Sequence, residues 1–335
     1  MVRACLPVGR CTLRAWGIRV KKVKFLGYAI TAVSFYYILK VVLALNFDLL
    51  TALEAPVRTV IYLLGLSAFY SVLMVIASFS WKLILEFLSN SRLSGREVFE
   101  VYAKSNIAKY LPGNILHFAG RNLLGKRLDW KHADTLVGSL LEMAIMLLTA
   151  VLLLLVLSPG DSVALLTQAL STLARHPVVV SLLSVLLAAL IYSGISLWVK
   201  RNVPWGYVKI FFTKRFSIVL AEVFLIDCLL LLSLGFTLLL IYQGVLRGTG
   251  KTGQPLYTIS AFILSWVAGF VTPGAPGGIG VRESVQILML SPVYGKESAL
   301  AAAVLFRVVS ILGELISFFY ASFFLKPSKK SEPAA

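Results

Sequence analysis

Charge is scarce in this chain, and acidic charge is scarcer still. Only 14% of its residues are Asp, Glu, Lys or Arg, where a water-soluble domain carries about 25%. So few charges would leave wide apolar patches facing water, which excludes a free soluble domain of this composition. Cysteine is almost missing: Cys5, Cys11 and Cys228 are the only three and form no CxxC pair, so no disulfide framework or thiol metal site can be drawn. Histidine also numbers three, with no HExxH and no Cys/His cluster, which leaves a metal without a ligand set. No GxxxxGK[ST] loop and no paired-aspartate motif occurs, so neither nucleotide use nor a transferase centre is expected. The expectation is a protein without catalytic residues, cofactor or metal. Residues 1–24 are basic but lack a short apolar core followed by a cleavage site. They read as the cytoplasmic flank of a retained first helix, not as a removed signal peptide.

What the sequence has in quantity is apolar length. Of 335 residues, 59% are hydrophobic, and the mean hydropathy is +0.87. Six runs, at 25–45, 57–79, 133–157, 178–199, 216–242 and 298–325, are long enough to span a bilayer. Two further segments are interrupted, 97–127 by Pro112-Gly113 and 256–290 by the string TPGAPGGIG at 272–280; no continuous helix tolerates the second. The fold class expected is all-α: a polytopic membrane bundle of about six full spans plus two re-entrant or interfacial segments. Residues 25–325 form one transmembrane domain, between the basic segment 1–24 and a tail at 326–335.

The net charge of +17 arises from 32 basic against 15 acidic residues. It lies between the apolar runs, so it reads as cytoplasmic loops facing anionic lipid, with no nucleic-acid partner. Basic clusters at 3–24, 82–131, 200–215 and 326–330 place both termini in the cytoplasm of a multi-pass plasma-membrane protein. Arg247 and Lys251, in a loop assigned outside, run against that pattern. Each half then has a long span, a Pro-Gly break followed by an arginine, and a span bearing a glutamate: Arg121 with Glu142, and Arg282 with Glu314. The breaks enter from opposite faces, as in an inverted repeat; a chance recurrence of Pro-Gly is the competing account.

The stretch 272–283, TPGAPGGIGVRE, carries the most chemistry. Gly277, Gly278 and Gly280 free the backbone. A helix starting near Val281 would turn its N-terminal amides toward the break, a site suited to a phosphate. Arg282 adds a positive charge there, with Glu283 beside it. An arginine at membrane depth costs at least about 2.5–3.5 kcal/mol on insertion scales, so it needs a partner or a ligand. The structural alternative is an ion pair of Arg282 with Glu283 or Glu314. Arg307 and Glu314 lie seven residues apart on nearly one helical face; each needs its own partner. They and Glu142 are candidates to line an internal cavity. Asp227 and Glu222 belong to the same polar path unless Glu222 merely snorkels outward. In the first interrupted segment Lys104, Lys109, Tyr110, Asn114, His117 and Arg121 suit a phosphorylated head group, or an amphipathic helix on anionic lipid.

KYLPGNILHFAGR at 109–121, TPGAPGGIGVRES at 272–284 and FRVVSILGEL at 306–315 resemble the membrane domain of the lysylphosphatidylglycerol synthase family. That family includes the flippase domain of the multiple peptide resistance factor and stand-alone flippase-like proteins. The resemblance spans roughly 22–325 and is most specific at 276–283. There the chain is three residues longer than the family's TPGGLGVRE, Ala275-Pro276 among the additions, with Arg282 and Glu283 kept. The resemblance implies a flippase-like protein that moves a phosphate-bearing or polyprenyl-linked lipid between leaflets. It does not imply lysine transfer, which belongs to a separate soluble domain in full-length synthases. Relatives are linked to polyprenyl- and dolichol-linked sugars and to hopanoids. The rival readings are therefore a membrane-embedded transferase, or an accessory scaffold for enzymes of lipid-linked glycan, aminoacyl-lipid or hopanoid synthesis. The expected partners are membrane lipids, anionic or polyprenyl-phosphate-linked, and the enzymes that make them.

Overall fold

The computed structural model describes residues 56–110, 116–157, 213–246, 255–272 and 276–325. The expected spans at 25–45 and 178–199, the segment 1–24 and the tail lie outside the described residues. Those described are helical: α1 Pro56–Ser89, α2 Gly95–Asn106, α3 Leu116–Gly125, α4 His132–Leu157, α5 Lys214–Gly244, α6 Pro255–Val271, α7 Val281–Tyr294 and α8 Lys296–Phe323. Short 3-10 turns at Ile107–Tyr110, Lys126–Leu128 and Pro276–Gly278 complete the set. Four of the helices, α1, α4, α5 and α8, are long and apolar enough to cross a membrane.

Local chemistry sets the ends of these helices. The Thr213 hydroxyl accepts from the Phe216 amide at 3.3 Å and caps α5. Asn90, with φ of 50°, stops α1 in the left-handed conformation that asparagine tolerates. That stop lies well beyond residue 79, where the apolar run weakens. Trp81, Ile84, Leu85 and Leu88 carry the buried stripe onward, and Lys82 pairs with Glu86 one turn away at 3.3 Å. The resulting 34 residues make a rod of roughly 51 Å, longer than the roughly 30 Å hydrocarbon layer.

Helix α8 is the most enclosed of the four long helices: 61% of its most apolar window is buried, against 28% for α1 and for α4. It packs against α1, α2, α5 and α7. At the α1 crossing Gly313 lets the backbones meet, for a Cβ there would lie 2.8 Å from the Ser67 carbonyl. Gly235 of α5 lies close to Ile259 of α6, where a Cβ would come 2.8 Å from its Cγ2 and 3.1 Å from its Cα. Buried hydroxyls return to their own helices, Ser67 to the Leu63 carbonyl, Thr149 to Ile145 and Ser317 to Gly313. The outward faces stay apolar, with Val57, Ile61 and Val72 on α1, Leu148 and Val156 on α4, and Leu225 on α5 exposed. Such surface is compatible with lipid.

Candidate functional site

Both interrupted segments lead to one place. Helix α2 buries Val98, Phe99, Val101 and Tyr102 and tightens into the Ile107–Tyr110 turn, which carries Lys109. Residues 111–115, Asn114 among them, lie outside the described residues, and α3 then brings in Arg121. In the other half α6 ends at Val271, residues 273–275 lie outside the described residues, and the Pro276–Gly278 turn leads to α7. Gly277, Gly278 and Gly280 have φ of 60°, 73° and 85°, a conformation that a Cβ would strain. The two turns touch: a Cβ on Gly277 would sit 3.5 Å from the Tyr110 ring.

Between them lies a cavity of about 170 Å³. Lys109, Arg121, Glu142, Arg282, Glu283, Arg307 and Glu314 all line it. The lining also includes the apolar side chains of Leu73, Leu234, Phe262 and Phe306. Three of the chain's five methionines, Met74, Met143 and Met146, lie there as well, and their unbranched side chains adapt to varied apolar shapes.

The charges pair selectively. Arg121 is ion-paired with Glu142, and its guanidinium lies 4.2 Å from the Tyr102 ring centroid and 4.8 Å from that of Trp81. Lys109 is ion-paired with Glu314, which also accepts from the Tyr70 hydroxyl at 3.2 Å. Arg307 donates from Nε to Glu283 at 2.7 Å and from Nη1 to the Gly277 carbonyl at 3.4 Å. The structural alternative of an Arg282–Glu283 or Arg282–Glu314 pair is therefore not what forms. Arg307 and Glu314 take separate partners from different elements.

The start of α7 differs in one respect from the expected anion site. The Gly280 amide donates to the Glu283 carboxylate at 2.7 Å, so the chain's own carboxylate already occupies part of that N-terminus. Arg282 remains. Its Nε is buried without a hydrogen-bond partner among the described residues, and its guanidinium stands 5.8 Å from the Trp266 ring centroid.

Other candidates lie elsewhere. Lys104 pairs with Glu100 at 2.6 Å on α2 and does not line the cavity. Glu222 is exposed on α5, which fits the snorkelling alternative. Asp227 is buried and accepts from Ser80 at 3.2 Å, also off the lining. His117 lines the cavity against Phe118. Among the described residues no three His, Cys, Asp or Glu side chains gather as a metal would require.

Tyr70, Trp81, Tyr102, Trp266 and Gln286, which no sequence motif singles out, also touch the charged groups or line the cavity. Gln286 could have been found, since it follows Arg282 by four residues on one helical face. The aromatics carried no signal in runs already rich in them. No protein-family model matches the chain, and no curated protein or solved structure matches it.

Proposed function

We propose that the chain is a lipid translocase, a flippase-like protein that moves a phosphate-bearing lipid between leaflets. The observation that carries the reading is the cavity itself. Its lining combines charged side chains brought in by both broken segments with apolar ones, three adaptable methionines among them. A head group fits the charged groups and acyl or prenyl chains the apolar ones. The likeness of 109–121, 272–284 and 306–315 to the lysylphosphatidylglycerol synthase membrane domain points the same way.

The packing supports an inverted repeat. Exchanging α1 with α5, α2 with α6, α3 with α7 and α4 with α8 turns each major helix–helix packing into another that is present. Thus α1 on α8 becomes α5 on α4, and α2 on α8 becomes α6 on α4. The α1–α5 contact maps onto itself, as a two-fold axis requires. With the runs at 25–45 and 178–199 as spans, each half crosses three times around a re-entrant pair. An odd number of crossings sets the halves in opposite orientations, with both termini in the cytoplasm by the distribution of Lys and Arg.

The test is a leaflet-resolved assay in proteoliposomes carrying tail-labelled phosphatidylglycerol, with chemical quenching of the outer leaflet. Protein should speed loss of the protected inner-leaflet signal, and Arg282→Gln should slow it. Equal rates with and without protein would overturn the reading.

A further inference from the structure

Among the described residues, all but one of the charges lining the cavity are matched. Lys109 is held by Glu314, Arg121 by Glu142 and Arg307 by Glu283. Arg282 meets no carboxylate among the described residues, because neighbouring Glu283 is committed to Arg307 and to the Gly280 amide. Residues 111–115 and 273–275, in the two breaks, contain no acidic residue. Asp227 stands off the lining, bonded by Ser80.

Arg282 is also held firmly. A Cβ on Gly269 would collide with its Cγ, and one on Gly278 would come within 2.7 Å of its Nε. Two glycines therefore accept the aliphatic stem while Trp266 flanks the guanidinium. Among the described residues four cations and three carboxylates line the space, an excess of one positive charge with histidine neutral.

We propose, resting on the translocase reading, that this cavity selects a head group bearing one net negative charge, a phosphodiester. A charge removed from water needs one opposite charge beside it. The planar guanidinium offers paired donors to the two non-bridging oxygens of a diester. A phosphomonoester carries about −1.5 to −2 at neutral pH and a diphosphate diester two charges, so either leaves negative charge unmatched. A neutral glycolipid leaves Arg282 itself unmatched. The diester chemistry is shared by a glycerophospholipid such as phosphatidylglycerol and by a polyprenyl-phosphate sugar.

Purified protein in detergent is titrated with short-chain phosphatidylglycerol against short-chain phosphatidic acid. A second arm sets a short polyprenyl-phosphate hexose against its diphosphate counterpart; intrinsic tryptophan fluorescence and the thermal midpoint are the readouts. In at least one arm the diester should bind about tenfold more tightly than its two-charge counterpart, and the stronger arm identifies the source. Arg282→Gln should erase the preference, whereas Glu314→Gln, which releases Lys109, should move it toward the two-charge ligands. Equal or tighter binding of the two-charge ligands by the unaltered protein would overturn the proposal, whatever becomes of the variants. Charge-selective binding without lipid movement in proteoliposomes would sink translocation alone. Movement indifferent to head-group charge would sink the selectivity alone.

Discussion

Arg121 and Arg282 each follow a Pro-Gly string in the sequence, yet the protein treats them differently. Arg121 pairs with Glu142 inside its own half and lies against Trp81 and Tyr102. Arg282 would have Glu314 by the same pattern, but Lys109 of the first half has taken that carboxylate, and Arg307 has taken Glu283. One half closes its charge pair; the other, through a pairing that crosses between halves, leaves a cation facing the cavity. Similar sequence punctuation thus yields a structural clasp on one side and a candidate binding group on the other.

The comparison breaks most visibly at the clasp. Arg121→Ala strands Glu142 in the interior and should cost about 3–5 kcal/mol of stability, seen as a fall in the thermal midpoint in detergent. A midpoint unchanged by that substitution would make the clasp as dispensable as its counterpart. Gly313→Ala, which forces a methyl into the Ser67 backbone at the α1–α8 crossing, should cost about 1–3 kcal/mol. Arg282→Met should act in the opposite sense to Arg121→Ala. It removes a cation without stranding a partner, so the midpoint should hold or rise while lipid movement falls by about tenfold or more. Loss of stability comparable to that of Arg121→Ala would show Arg282 to be a structural residue. Glu222→Gln, on an exposed face, should change stability by no more than about 0.5 kcal/mol and leave movement unaltered.

Much of the fold was legible because apolar length is a direct signal. The runs 133–157, 216–242 and 298–325 correspond to α4 His132–Leu157, α5 Lys214–Gly244 and α8 Lys296–Phe323. The start of α7 could be read from Gly280 and Glu283, which pair around its first turn. Helix α1 was read short because Lys82 and Glu86 resemble the start of a loop, although one turn of helix brings them together. Less legible was which face of each long helix turns inward. When every face is apolar the hydrophobic period carries little information, and Gly313 and Gly235 mark the crossings only once their neighbours are known. Lys109–Glu314 and Arg307–Glu283 were beyond reach for a related reason. Four charged residues allow several pairings, and only the meeting of separate helices selects one.

The contact between Tyr110 and Gly277 has a consequence for how the protein is made. The Ile107–Tyr110 turn packs, in the finished molecule, against the Pro276–Gly278 turn, which leaves the ribosome only after α3, α4, α5 and α6. Through that interval the Tyr110 ring lacks that native neighbour. The final seating of that turn therefore follows synthesis of the second half, and a chain truncated before Pro276 would lack this contact between its halves.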